Sequence, residues 1–476
     1  MERHKNSKSG SSPDSEAARQ YFKHSSAKRN NTDAVLATAL KRQYPALHLS
    51  IVPARTADIL AYASSGAASF TEVEDDTGEG GVPASLGHKM FLPAAKRGSG
   101  SGVVARVPTF GKFLYKYKDH EFIVYLAKTQ DGMYDIGDTY YILSTDEDRT
   151  DALIRAAGAW GSVLHDEIWV FDGGFWRKDA GLYASVMKAE WESVILDEDM
   201  KKALIDDHLS FFRSRSTYEN LRVPWKRGII YYGPPGNGKT ISIKAMMHTL
   251  YNLTPEVPTL YVRTLASFFG PEDSIKKIFS RARQFAPCYL VFEDLDSLVS
   301  DSVRSYFLNE VDGLQSNDGI FMIGSTNHLD RLDPGIAKRP SRFDRKYFFP
   351  NPNLKERIAY CHFWQSKLAS NKSIEFPDKL CEAIAKITDD FSFAYMQEAF
   401  VAALLAIARN KGADGSDDGS SDEEYGVATV DLGDEWVGVV DPTSRDDVDL
   451  EHLKLWVEIK KQIEILREGI EAQPEE

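Results

Sequence analysis

The sequence predicts an α/β fold: a core with a largely parallel five-stranded sheet and a helical lid, preceded by a small α+β domain. Three observations predict it. Between residues 188 and 353, five short apolar runs ("GIIYYG", "TLYVRT", "CYLVFED", "GIFMIGSTN", "KYFFP") mostly alternate with helical segments, the pattern of a parallel sheet covered on both faces. Residues 103–187 instead carry strands of alternating polarity around one helix. Residues 354–410 show helical periodicity alone.

Taken in order, residues 1–102 are expected to be mostly disordered or loosely structured. Residues 1 to about 30 are polar and poor in aromatics. "DAVLATALKRQYPALHLSIV" reads as a short helix followed by a strand, and residues 64–102, rich in Gly, Ala and Ser, read as a linker. In the small domain, "KFLYKYKDHEFIVYLAKT" and "DTYYILST" read as strands, and "DEDRTDALIRAAGAWGSVL" as a helix with an acidic start. "EIWVFDGGFWRK" reads as a hairpin turning at Gly173 and Gly174, which closes that domain. A helix from about Glu198 to Phe212 leads into the core. Residues 411–445, acidic and rich in Gly and Ser, are expected to be disordered, and 446–476 to form an amphipathic helix. That helix either packs on the lid or joins a neighbour.

Apolar residues make up 42% of the 476, enough for large cores. The net charge is −14, and about −12 of it lies between Gly412 and Leu450. The remainder is nearly neutral, which argues against nucleic-acid binding, a function that needs basic surface. Cys288, Cys361 and Cys381 fit no zinc spacing and read as reduced intracellular thiols. No run approaches the ~18 apolar residues of a membrane helix. The N-terminus has no apolar signal region. The sequence therefore favours an intracellular, soluble protein, cytoplasmic or nuclear, with no membrane span of its own.

The chemistry starts at "GPPGNGKT", from Gly233 to Thr240, which follows a strand and opens a helix. Glycines let backbone N–H groups wrap a phosphate chain, and the helix N-terminus adds a favourable dipole. Gly233, Pro234, Pro235, Gly236, Asn237, Gly238, Lys239, Thr240 and Ile241 are the expected nucleotide-binding residues. Lys239 would neutralise phosphates, and Thr240 would ligate Mg²⁺. In "YLVFEDLDS", Glu293 and Asp294 lie just past a buried strand, at the sheet edge where open α/β folds bind ligands. They could serve a metal and an attacking water. Asn327 ends another apolar strand and could hold that water or sense the γ-phosphate. Arg339 and Arg342, in "KRPSRFDRKYFFP", suit γ-phosphate recognition, also from a neighbouring subunit.

Together these residues resemble the AAA ATPases, ring-forming P-loop enzymes, from about Trp191 to Arg409. "GPPGNGKT" is similar to Walker A, "LVFEDLD" to Walker B, "GSTN" to sensor 1, "LDPGIAKRPSRFDR" to the arginine-finger segment and "DDFSFAYMQEA" to the start of the last lid helix. The finger segment departs from the pattern by one extra residue near Lys338 and by Ser341 where Gly is usual. The lid helix has Phe393 where Gly is common. Within the class, "EIWVFDGGFW" running into "WESVILDEDMKKALIDDHLSFF", the "RVPWKRGIIYYGPPGNGKT" entry and the Glu-Asp order resemble the Bcs-type branch. That branch is named for a mitochondrial chaperone that assembles a respiratory complex. The namesake carries an N-terminal membrane helix, and none is legible here.

The resemblance implies ATP and Mg²⁺ as cofactors, a homo-oligomeric ring (hexamer or heptamer) and protein substrates. Hydrolysis would drive remodelling, unfolding or translocation. A mitochondrial location rests on the resemblance alone. Phe268, Phe269 and Gly270 stand where protein-threading members carry a pore loop. Their rings would grip a polypeptide or pack under the following helix. Most members write Asp-Glu where this chain writes Glu-Asp. Asp296 keeps the register, so Glu293 takes the magnesium slot and Asp294 the water-activating slot. Both slots hold a carboxylate, so slow hydrolysis is expected. The alternative is a nucleotide-gated scaffold with negligible turnover.

Overall fold

The computed structural model describes residues 16–27, 31–73, 85–94, 100–129, 137–313, 315–339, 341–371, 373–413 and 450–471. The chain divides into two compact units, Met1–His165 and Asp166–Glu476.

The first unit is an antiparallel sheet of β1 (His48–Pro53), β2 (Ser69–Glu72), β3 (Leu86–Leu92), β4 (Val103–Tyr117), β5 (His120–Thr129) and β6 (Gly137–Ser144). The order is β1-β6-β5-β4-β2, with β3 also paired to β4. Side chains alternate across it, as the pleat requires. On one face Phe122, Val124, Tyr140 and Ile142 pack with Leu153 and Ala157 of the helix Glu147–Ser162. On the other, Tyr125, Tyr141 and Leu143 meet Leu40 of the helix Thr32–Gln43.

The expectation of a loose N-terminal region is corrected here. Val52, Ala57, Ile59 and Ala63 are buried in this core. The buried Tyr115 hydroxyl donates to the Ile59 carbonyl at 2.8 Å. Both β2 and β3 fall inside the stretch read as a linker, yet each pairs with β4. Their composition is weak in β-formers, and the order comes from backbone pairing to a long strand. Local composition does not report such pairing.

The second unit contains β7 (Ile168–Asp172), β8 (Phe175–Asp179), β9 (Arg227–Tyr232), β10 (Thr259–Val262), β11 (Cys288–Phe292), β12 (Ile320–Thr326) and β13 (Arg345–Phe348). The sheet order is β13-β9-β12-β11-β10-β7-β8. All neighbours run parallel except the β7–β8 hairpin. This sheet has seven strands, not the five expected. The hairpin assigned to the small domain belongs here, with Trp169 of β7 registered against Leu260 of β10. Ile168, Trp169, Val170 and Phe171 are all buried, as a strand covered on both faces requires.

Alternate residues of β11 serve the two layers. Tyr289 and Val291 join the cluster that contains Leu204 and Phe211 of the helix Glu198–Arg213 and Met246 of the helix Lys239–Tyr251. Phe292 meets Phe279 and Phe307, with ring centroids 6.3 and 5.4 Å apart. The helices Leu354–Leu368, Asp378–Ile387 and Phe393–Ala413 build a separate core. The terminal helix Lys454–Glu471 packs into it through Leu455, Trp456, Ile459 and Ile463. Packing within the chain is thus its observed arrangement. The acidic tract from residue 414 to 445, and residues 1–15, lie outside the described residues. Among the described residues no helix is long and apolar enough to cross a membrane.

Candidate active site

The loop between β9 and the helix Lys239–Tyr251 is shaped by three glycines of positive φ: Gly233 (138°), Gly236 (78°) and Gly238 (89°). Two of them also allow close approach. A Cβ on Gly233 would lie 2.3 Å from the Phe349 carbonyl oxygen, and one on Gly236 would lie 2.5 Å from the Ala394 Cβ. At Gly238 there is space, and the backbone sign alone requires glycine.

Lys239 is buried. Its ammonium folds back on the loop, donating to the carbonyls of Gly233 at 2.7 Å and Pro234 at 2.8 Å. Burial pushes its pKa below the ordinary lysine value, and the Asp294 carboxylate opposes that shift. Asn237 donates from its amide to Asn351 Oδ1 at 2.9 Å, and Asn351 in turn donates to the Asp390 carbonyl. These bonds tie the loop to the segments after β13 and before the helix Phe393–Ala413.

A cleft of about 510 Å³ opens over this loop. Pro235, Gly236, Gly238, Lys239, Thr240 and Ile241 line its floor, and Asp294, Ser325 and Asn327 its far wall. Asp294 adopts left-handed backbone, φ +50°, and its amide donates to Ser325 Oγ at 3.3 Å. Asp296 accepts a 2.6 Å bond from the Thr326 hydroxyl, which braces β12 beside Asn327. Glu293 does not line the cleft. Its Oε2 accepts a hydrogen bond from the Tyr261 hydroxyl, and its Oε1 is buried with no hydrogen-bond partner.

Sequence reasoning missed most of the remaining wall: Ser193, Val194 and Ile195 before the helix Glu198–Arg213, and Tyr360, Ala394 and Gln397 of the helical cluster. Phe393 also lines it, its ring centroid 5.1 Å from that of Tyr360. Phe393 was visible as a departure from the glycine usual there. The rest of this wall lies partly in the segments "WESVILDEDMKK" and "DDFSFAYMQEA" that carry the family resemblance, but nothing local marked those residues, or Tyr360, as cleft lining.

The two arginines part company. The Arg342 side chain is 6% exposed. It donates from Nε and Nη2 to the two Asp312 oxygens at 2.8 and 2.6 Å, and from Nη1 to the Gly335 carbonyl at 2.6 Å. This bidentate bond holds the Asp312 carboxyl below, and the Arg342 guanidinium above, its ordinary range. Each of the three guanidinium nitrogens of Arg342 thus donates inside the fold, an arrangement that suits a structural role better than the catalytic one expected. Arg339 is 61% exposed and only 3.6 Å from Asp312 Oδ2. Neither arginine lines the cleft of its own chain.

Away from the cleft, Phe268 is 90% exposed and Phe269 55%. They sit edge to face, 5.4 Å apart, just before Gly270 (φ +90°) and the helix Pro271–Phe285. Packing under that helix is not what Phe268 does.

The donor set can be tested against a nucleotide and its ion. The loop supplies three glycines of positive φ, a buried ammonium and the first turn of a helix, which suits a phosphate chain. Among the described residues no group of three or more His, Cys, Asp or Glu side chains could cage a metal. Thr240 and the acidic pair fit instead a Mg²⁺ ion that takes its other ligands from phosphates and water. Glu293 Oε1, buried and unpartnered, fits such a ligand.

Residues 229–351 match the family described as "ATPase family associated with various cellular activities (AAA)". The match runs from β9 to just past β13 and takes in the loop, the acidic pair, Asn327 and both arginines. The chain thus carries an AAA ATPase domain. Such domains bind nucleotide, typically with Mg²⁺, are ATPases in general, and are typically oligomeric.

Proposed function

We propose that this protein is an ATP hydrolase of the Bcs-type branch that works as a homo-oligomeric ring and remodels, unfolds or translocates protein substrates. One observation carries the reading. A complete phosphate cleft is lined by Lys239, Thr240, Asp294 and Asn327, while the exposed Arg339 lies outside it. An exposed arginine outside the lining of its own cleft suits service to a neighbour's, as a finger does.

Within the cleft, Lys239 would exchange the Gly233 and Pro234 carbonyls for phosphate oxygens, a trade of neutral for charged acceptors. Tyr360 and Phe393 would flank the base. Asp294 would take the proton of the attacking water, with Asn327 orienting that water. Thr240, Glu293 and Asp294 would hold Mg²⁺, whose charge would favour the developing negative charge on the phosphates. Exposed Phe268 and Phe269 would grip an extended polypeptide through side-chain burial, with no reading of its sequence.

The test is steady-state ATP turnover of the purified full chain, with its mass in solution measured with and without ATP. The proposal expects slow turnover, loss of nucleotide binding in Lys239→Ala and a hexameric or heptameric mass. A monomer under every nucleotide condition would sink the ring. A second reading, a nucleotide-gated scaffold, is favoured by the exchanged acids alone. Bound ATP with background turnover would select it.

A further inference from the structure

Glu is one methylene longer than the Asp usual in the magnesium slot, and the fold holds a device that takes up the difference. Tyr261 stands on β10, registered beside Val291 of β11. Side chains two apart share a strand face, so Val291, Glu293 and Tyr261 lie on one side of the sheet. From there the Tyr261 hydroxyl reaches forward and donates to Glu293 Oε2. A tyrosine hydroxyl is protonated at neutral pH and a carboxylate can only accept, so Tyr261 is the donor in this bond. The other oxygen, Oε1, is buried with nothing to bond. A buried acceptor without a partner marks where a ligand belongs.

We propose that Tyr261 is a positioning residue for the metal: it pins Oε2 of Glu293, so that Oε1 alone faces the divalent ion or one of its waters. This rests on reading the cleft as a Mg²⁺–nucleotide site. A free glutamate samples several rotamers and can chelate with both oxygens. Two-oxygen chelation suits Ca²⁺, which accepts irregular shells of six to eight ligands. Mg²⁺ demands near-octahedral geometry and keeps its waters. One pinned oxygen therefore favours Mg²⁺. Tyr261 thus sets both the reach of the longer acid and the choice of ion.

The test is equilibrium binding of a fluorescent ATP analogue to the full chain in EDTA, in Mg²⁺ and in Ca²⁺. Tyr261→Phe keeps the ring and removes only the donor. It should leave affinity in EDTA unchanged and raise half-saturating Mg²⁺ by roughly tenfold, in line with the cost of losing an outer partner of a metal ligand. Half-saturating Ca²⁺ should stay level or fall, so the preference for Mg²⁺ shrinks. In a Glu293→Gln background the same change should do nothing further, since the effect runs through Glu293. Wild-type values for both ions in Tyr261→Phe would overturn the proposal and leave the nucleotide reading standing. An equal effect in the Glu293→Gln background would also overturn it, because Tyr261 would then act by packing alone. A wild-type protein that binds no ATP in any of the three conditions would overturn both.

Discussion

Replacing Arg342 with alanine removes a guanidinium that makes three short hydrogen bonds, two to Asp312 and one to the Gly335 carbonyl. Hydrogen bonds to charged groups contribute about 1.5–3 kcal/mol each when a partner is deleted, and breaking a buried ion pair costs about 3–5 kcal/mol. Asp312 is 40% exposed, so water recovers part of its solvation. That places the loss at about 2–3 kcal/mol. Arg339→Ala removes an exposed ion pair at 3.6 Å and should cost under about 0.5 kcal/mol. The functional effects should run the other way. A finger arginine contributes about 10³-fold or more to turnover. Differential scanning fluorimetry should show Arg342→Ala melting roughly 3–5 °C lower, as expected for a folded unit of this size, with Arg339→Ala unchanged. Turnover per assembled ring should collapse in Arg339→Ala. If Arg342→Ala melts like the wild type, its bonds are not structural. If Arg339→Ala turns ATP over normally, the division of labour between the two residues is wrong.

The acidic pair gives a second prediction. Asp294→Asn should retain bound ATP and turn over at least about 10²-fold more slowly, while Glu293→Gln should chiefly raise the Mg²⁺ needed. The opposite pattern in a quench assay and a Mg²⁺ titration would mean that the roles follow residue type. Phe268→Ala should leave melting and basal ATP turnover intact, since the ring is 90% exposed, and abolish processing of an unfolded model substrate. Stability should also depend on pH through His208. It is fully buried, and Nδ1–H donates to the Leu204 carbonyl at 2.7 Å, while Nε2 accepts from the Tyr289 hydroxyl at 3.2 Å. Burial pushes its pKa from 6.5 down to about 4. The unfolded chain binds the extra proton between those values, so the contribution is complete above about 6.5 and lost as pH falls toward about 4. Urea unfolding should register about 2 kcal/mol of that loss by pH 5, and His208→Phe should remove it.

The sequence by itself determined the second unit's parallel core and the phosphate loop, because both are written in contiguous residues. A short apolar run such as Cys288–Phe292, lying between helical segments, reads as a strand covered on both faces, and GPPGNGKT between a strand and a helix carries its backbone requirements in its glycines. Asp296 likewise supplies the register in which the exchanged acids are read against the family pattern. What only the tertiary structure decided depends on residues far apart along the chain. The hairpin joined the larger sheet because Trp169 pairs with Leu260. The small residues Ala57 and Ala63 became core because β4, β5 and β6 assembled over them. Two arginines three positions apart read alike until Asp312 and Gly335 captured one of them and left the other in solvent. Tyr261, which looked like one more strand residue, acquired a role when parallel pairing carried its hydroxyl to Glu293. Backbone conformation follows from local sequence wherever φ/ψ and burial periodicity dictate it. Which polar groups meet depends on long-range packing, and only the folded chain specifies that.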